Sequence, residues 1–229
     1  MDTRILGSGL VAAALSVAPA FGGPIVLPFP EGDAGYAALS NNGALEQGTV
    51  EGRIGNRLDT GTYELAIWRR VNVGPLLNLG QLTWGNGVAA PFTLTYDGLT
   101  TVTYTLGTKT ILSTQIGGTF TDIFIRARSA PTGNVFLTGM QMVGSVAIPN
   151  VASIGGGPVN YLRVSNQGQA FGAFTLTGFE AISWIVNEPP ANSAVSAQFR
   201  LVNVPGPGVA VVVAAAVPLF AVRRRRRAN

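Results

Sequence analysis

A strict alternation of apolar and polar residues runs through the middle of the chain and limits what it can fold into. Residues 92–96 read Phe-Thr-Leu-Thr-Tyr, and residues 102–106 read Val-Thr-Tyr-Thr-Leu. Because side chains along a β-strand point to opposite faces, each segment places apolar side chains on one face and threonines on the other. Asp97-Gly98 between them is typical of a tight turn. The pattern predicts a β-hairpin with one buried face.

Other segments predict further strands in the same way. Their apolar and polar residues alternate with a period of two, and glycine-rich breaks such as 155–157 separate them. Helical turns are suggested only over residues 37–46. We predict an all-β fold of roughly eight to ten strands, a single β-sandwich, with a jelly-roll topology as the alternative. The further strand segments are 62–68, 122–128, 159–164, 174–177, 181–186 and 195–201, with Gly178 separating 174–177 from 181–186.

The composition excludes several kinds of chemistry. The chain contains no histidine and no cysteine, which excludes Ser-His-Asp catalysis, disulfides, thiolate chemistry and imidazole metal sites. No EF-hand loop occurs, and we predict no metal and no cofactor. Pairs of carboxylates are the remaining catalytic option. They leave a small glycan hydrolase as the least favoured alternative, because solvated loop charges are the commoner role of such residues.

The distribution of charge argues against nucleic acid as a partner. The whole chain has 15 basic and 11 acidic residues, but a block of five arginines lies close to its carboxyl terminus. Residues 21–205 contain nine basic and ten acidic residues, a net charge of −1. A nucleic-acid-binding domain needs a basic face on its folded part, and this composition does not supply one.

The first twenty residues have the layout of a secretory signal. Arg4 precedes an apolar run from Ile5 to Val17, and the run ends in a small-x-small site formed by Ala18 and Ala20. This order predicts a signal helix over 1–20 that engages the secretion translocon and is cut by signal peptidase after Ala20. The predicted mature protein then has three parts: an extended lead-in over 21–44, a β-sandwich domain over 45–203 and a C-terminal segment over 204–229.

The C-terminal segment has three parts in a fixed order. Residues 204–208 are a stiff, non-helical motif, residues 209–222 carry no charge, and the arginine block follows. A helix over 209–222 is about 21 Å long, shorter than the roughly 30 Å hydrocarbon core, and its arginines would stay cytoplasmic. This order predicts a short transmembrane helix that tethers the domain outside the membrane before processing; a plain tail anchor and a soluble protein with a basic tail are the alternatives. The motif is Val204, Pro205, Gly206, Pro207 and Gly208, and the block is Arg223, Arg224, Arg225, Arg226 and Arg227.

The C-terminal segment resembles the PEP-CTERM sorting signal of Gram-negative bacteria, with Gly206 standing where that signal has its glutamate. The resemblance implies that an exosortase-type membrane transpeptidase recognises the motif and cuts there. It also implies a location at the cell surface, in the outer envelope or in the extracellular matrix, and an association with exopolysaccharide and biofilm.

Within the predicted domain, residues 53–56, 84–87, 91–97 and 122–126 are similar to the choice-of-anchor domains of exported bacterial proteins. That resemblance implies a surface-exposed sandwich without catalytic residues. We therefore expect a non-enzymatic surface or matrix protein.

A carbohydrate-binding module is the alternative function, and Trp84 is its predicted ligand contact. The following Gly85-Asn86-Gly87 predicts a loop, where an indole face could stack on a sugar ring. Packing in the core is the commoner fate of a tryptophan in a small β domain, and it stays the competing interpretation.

Overall fold

The computed structural model describes residues 22–54, 64–69, 75–190 and 194–205. Within these ranges the chain forms fourteen β-strands and one α-helix. The strands are β1 (Ile25–Pro28), β2 (Leu45–Ile54), β3 (Leu65–Trp68), β4 (Leu76–Gly80), β5 (Ala90–Tyr96), β6 (Val102–Leu106), β7 (Lys109–Ser113), β8 (Asp122–Arg128), β9 (Gly133–Met142), β10 (Ala147–Ile148), β11 (Val151–Ser153), β12 (Asn160–Ser165), β13 (Phe174–Trp184) and β14 (Val195–Asn203), and the helix is α1 (Gly32–Asn41).

The described strands form two antiparallel seven-stranded sheets. Sheet A has the order β1-β12-β8-β14-β2-β3-β4. Sheet B has the order β10-β9-β13-β5-β6-β7, and β11 also pairs with β9. The last strand, β14, lies in the middle of sheet A between β8 and β2, so this sheet is incomplete until residue 203.

The inner faces of the two sheets share one hydrophobic core. The ring of Phe199 in sheet A lies 5.0 Å from Phe92 and 6.0 Å from Tyr104 in sheet B, measured between ring centroids. In β8, Ile123 and Ile125 belong to this core, as the alternation predicts. The all-β prediction is confirmed, and two sheets around one core are consistent with a β-sandwich.

The predicted hairpin is present as β5 and β6. Its turn is closed by Asp97, whose Oδ1 accepts hydrogen bonds from the backbone N–H groups of Leu99, Thr100 and Thr101. Gly98 has a φ of 87°, a conformation that glycine adopts without strain. The sequence pattern and the observed pairing therefore agree in this part of sheet B.

Gly178 does not separate two strands, contrary to the prediction. It lies within the continuous strand β13, where the pairing with β9 shifts register between Thr177 and Phe179. A Cβ atom at this position would lie 2.8 Å from the ring of Phe92, so the missing side chain makes room for core packing. The described strands also outnumber the eight to ten predicted, because short strands such as β1, β10 and β11 show no clear alternation.

Residues 21–44 were expected to be an extended lead-in, and the structure differs. Strand β1 pairs with β12 at the edge of sheet A, and α1 packs on the outer face of that sheet. The ring of Tyr36 in α1 lies 5.3 Å from Phe124 and 6.0 Å from Tyr161, between centroids. Asp33 accepts two hydrogen bonds of 2.9 Å from the Arg126 guanidinium. This segment is part of the folded domain.

Most of the predicted export features lie outside the described residues. They are Ala18 and Ala20 of the signal, Gly206, Pro207 and Gly208 of the motif, segment 209–222, and Arg223–Arg227, and for all of them the sequence predictions stand untested. Val204 and Pro205 directly follow β14, and the Val204 N–H donates a 3.0 Å hydrogen bond to the Thr121 hydroxyl. Among the residues that the structure describes, no helix has the length and apolarity needed to cross a membrane.

Candidate functional site

A cleft of about 580 Å³ opens at one end of the two sheets. Ile54 at the end of β2, Trp184 at the end of β13 and Lys109 at the start of β7 contribute to its walls. Two further wall residues have side chains that can bind a ligand: Glu64, directly before β3, and Trp84, in the connection between β4 and β5. The cleft thus combines two indoles, a carboxyl group and the only lysine of the chain.

Trp84, the predicted ligand contact, lies in the β4–β5 connection, where Gly85-Asn86-Gly87 predicts a loop. Its side chain is packed into the core with 9% of the residue surface exposed, and its indole N–H donates a 2.8 Å hydrogen bond to the Arg53 carbonyl oxygen. Trp84 therefore combines core packing with a place on the cleft wall. Its contact with a ligand stays a prediction.

Trp184 is a second tryptophan on the wall. Asn86 fixes it through two hydrogen bonds: its side-chain amide donates to the Trp184 carbonyl at 2.9 Å and accepts from the Trp184 N–H at 2.8 Å. The Gly87 N–H also donates to the Ile182 carbonyl at 2.8 Å. These contacts connect the loop that carries Trp84 to the backbone of the strand that carries Trp184.

Glu64 supplies the buried polar group of the cleft. Its backbone N–H donates to the Gly80 carbonyl, and its carbonyl accepts from the Arg53 N–H, so the backbone position is fixed. Only 3% of the residue is exposed, and among the described residues its Oε2 has no hydrogen-bond partner. Burial raises the pKa of Glu64 to about 7, against the lowering effects of the Arg53 charge and a hydrogen bond from Trp84. A buried oxygen without a donor is unfavourable, so a hydrogen bond donated to this atom would stabilise it.

The cleft wall carries a positive charge, and the adjoining loops carry exposed apolar residues. Lys109 is exposed and places one positive charge on the wall. Val88, Ile185 and Val186 are large apolar residues with more than half of their surface exposed, and they lie in the two loops that carry or follow the tryptophans. Exposed apolar side chains next to a cleft are typical of interaction sites.

Glu180 is a second buried carboxyl group, which lies deeper between the sheets. It points inward from β13, two inward positions before Trp184, and it is fully buried. The Tyr104 hydroxyl donates a 2.8 Å hydrogen bond to its Oε2, while Oε1 has no partner among the described residues. Burial raises the pKa of Glu180 to about 8. The interpretation of the candidate carboxylates as solvated loop charges is therefore wrong for Glu180.

A group of charged side chains also lies on the outer face of sheet A, under α1. Arg126 is a charged residue of the alternating segment 122–128, yet it is buried and bound to Asp33. Although burial alone would raise it, hydrogen bonds from Arg126 and Tyr161 hold the pKa of Asp33 at about 2. Arg200 lies 4.5 Å above the Tyr36 ring. These groups bind one another and attach α1 to the sheet, which is a structural role.

Within 22–54, 64–69, 75–190 and 194–205, no group of three or more acidic side chains could hold a metal ion. No protein-family model matches the chain, and no curated protein matches it significantly. The description of the site therefore depends on its own geometry.

Proposed function

We propose that this chain is an exported, non-enzymatic surface or extracellular-matrix protein of a Gram-negative bacterium, associated with exopolysaccharide. Signal peptidase removes residues 1–20, and residues 204–229 then hold the β-sandwich domain at the membrane. An exosortase-type membrane protease cuts at the 204–208 motif. The order of motif, apolar segment and arginine block supports this proposal, because such a short apolar segment anchors weakly while the arginines resist translocation.

The observation that carries the proposal is the position of the motif relative to the last strand. Strand β14 is central in sheet A and ends at Asn203, immediately before the motif. Thr121 also accepts a hydrogen bond from the Val204 N–H, so the fold holds the chain up to this residue. A cut within or after the motif removes no strand of either sheet, which is what removal of a sorting segment requires.

The intact mass of the protein isolated from its native host tests this proposal. We expect a mature chain that begins at residue 21 and lacks Arg223–Arg227. Replacing the five arginines by glutamine should abolish processing, and the matched control Arg69→Gln, at an exposed position of the folded domain, should not. Mature protein that still carries the arginine block would overturn the proposal.

A carbohydrate-binding module is the second candidate function, and it is compatible with the first. The cleft favours it, because two indoles and a buried hydrogen-bond acceptor are the groups that recognise a sugar ring.

A further inference from the structure

Among the polar features of the described residues, the cleft around Glu64 combines an unpaired buried carboxyl oxygen with a space that could hold a ligand. The charged groups under α1 are paired with one another. A second cleft, of about 390 Å³ beside Asp97, is lined mainly by threonines and aromatic residues, and Asp97 already accepts three backbone hydrogen bonds. At Glu64, in contrast, a buried carboxyl oxygen without a partner among the described residues belongs to a residue on the wall of a space large enough for a ligand.

We propose that this cleft binds a saccharide, with Trp84 and Trp184 against the C–H face of a sugar ring and Glu64 Oε2 accepting a hydrogen bond from a ring hydroxyl. The proposal rests on the second candidate function above and is independent of how the protein is delivered. It assigns the ligand class and adds Glu64 and Trp184 to the predicted contact Trp84.

The walls of the cleft fit the two-sided chemistry of a sugar. A pyranose ring has apolar C–H faces and a rim of hydroxyl groups, and indole faces pack well against the former. A volume of about 580 Å³ lies within the range of small-molecule sites. Pro189 and Pro190 add further rigid apolar surface to the wall. A ligand here can bury apolar atoms while its rim remains hydrogen-bonded.

The buried acceptor selects for a ligand that carries donors. Glu64 Oε2 would remain unpaired under a purely apolar ligand, which disfavours such a ligand strongly. A simple ammonium ligand is disfavoured for a different reason. The Arg53 charge already acts on Glu64, and Lys109 adds a second positive charge on the wall. A neutral hydroxyl group can donate a hydrogen bond to Glu64 and is not repelled by these two positive charges.

The hydrogen bonds of Asn86 prepare the site for binding. They join the Trp84 loop to the backbone of Trp184 at the end of β13, so the two backbone segments that carry the indoles are connected before a ligand arrives. Preorganisation of this kind reduces the entropy lost on binding.

The test uses the full chain, purified in mild detergent so that the result does not depend on processing. A glycan array of neutral, amino and acidic oligosaccharides identifies the best-bound probe, and calorimetry measures its dissociation constant. We expect Glu64→Leu and Trp184→Ala each to weaken binding about tenfold or more. Glu64→Gln, which keeps a carbonyl acceptor, should weaken it less. The control is Phe179→Ala, an exposed aromatic residue on the outer face of β13, and it should bind like the wild type.

Thermal unfolding shows whether each variant is folded, and Trp84→Phe replaces an alanine variant because Trp84 is part of the core. The proposal is overturned if no saccharide binds, if Glu64→Leu and Trp184→Ala bind like the wild type, or if choline binds more tightly than every sugar. The mass measurement of the processed tail is unaffected by any of these outcomes, so the two proposals fail separately.

Discussion

Two buried carboxyl groups of the described residues differ in what surrounds them. Glu180, in the closed centre, receives the Tyr104 hydrogen bond and lies against Gly52, where a Cβ atom would be 2.6 Å from its carboxyl oxygens. Glu64, at the open end, lies on the wall of a cleft. Each has one oxygen without a partner among the described residues. Desolvation raises the pKa of both groups, but only Glu64 lines a cleft that could hold a ligand.

This contrast separates a structural acid from a candidate binding group. Because the pKa of Glu180 is about 8, the group carries its proton at neutral pH and behaves as a neutral polar side chain of the core. The pKa of Glu64 is about 7, so its charge changes near neutral pH and responds to what occupies the cleft. Burial alone therefore does not identify a functional carboxyl group, which must also lie beside a space that a ligand can enter.

The largest expected effect is the pH dependence that Glu180 gives to stability. The folded state holds its proton up to about pH 8, whereas the unfolded chain releases it near the ordinary value of 4.5. The free energy of unfolding should therefore fall as the pH rises through this window, by several kcal/mol at about 1.4 kcal/mol per pKa unit. Urea denaturation of the wild type and Glu180→Gln between pH 4 and 9 measures it.

The variant should lose most of this slope and become the more stable protein above about pH 8. Glu64 contributes with the same sign up to about pH 7, so a smaller slope remains in the variant. Asp33 has a pKa of about 2, so it changes the free energy of unfolding only in acid and does not contribute to the slope at higher pH. Parallel profiles of wild type and variant would show that Glu180 does not hold its proton in the folded state.

Removing the partner of Glu180 should have the next largest effect. Tyr104→Phe leaves the buried carboxyl without its hydrogen bond and should lower the free energy of unfolding by about 1–3 kcal/mol at pH 6. The double variant Tyr104→Phe/Glu180→Met replaces both polar groups by apolar ones of similar size and should recover most of that loss. A double-mutant cycle by urea denaturation measures the coupling.

Tyr96→Phe is the matched control, since the Tyr96 hydroxyl donates to the Leu99 carbonyl in a partly exposed turn. Its loss should be smaller than that of Tyr104→Phe. Equal losses of unfolding free energy in the two variants would mean that burial of Glu180 does not make its hydrogen bond with Tyr104 more important.

The sequence predicts what is local in this fold. Alternation places Phe199 on the inner face of β14 and Arg200 on the outer face, and both positions are observed. Asp97-Gly98 predicts its turn, because the hydrogen bonds of the turn are made within five residues. In contrast, α1 is attached through Arg126 and Tyr161, which are 93 and 128 residues away from Asp33. Contacts at such separations leave no periodic signal.

The site was only partly predictable for the same reason. Glu180 occupies the inward phase of β13 between Leu176 and Ile182, so its burial could have been inferred from the alternation itself. Trp184 continues that phase to the end of the strand. The alternation in 62–68 places Glu64 on the face opposite Leu65 and Ile67, but its place on the cleft depends on how β2, β4 and β13 end together.

The smallest expected effect on stability is that of Glu64→Gln, under about 1 kcal/mol at pH 6, because glutamine keeps the size of the side chain and one acceptor oxygen. The sharper comparison is made with ligand present. At a saccharide concentration a hundred times the dissociation constant, binding should raise the free energy of unfolding by about 2.7 kcal/mol. Glu180→Gln should retain this stabilisation, since its side chain lies outside the cleft, whereas Glu64→Gln at the same concentration should lose part of it and Glu64→Leu most of it. If the saccharide stabilises all three variants equally, it does not contact Glu64. The proposed difference between Glu64 and Glu180 would then be wrong.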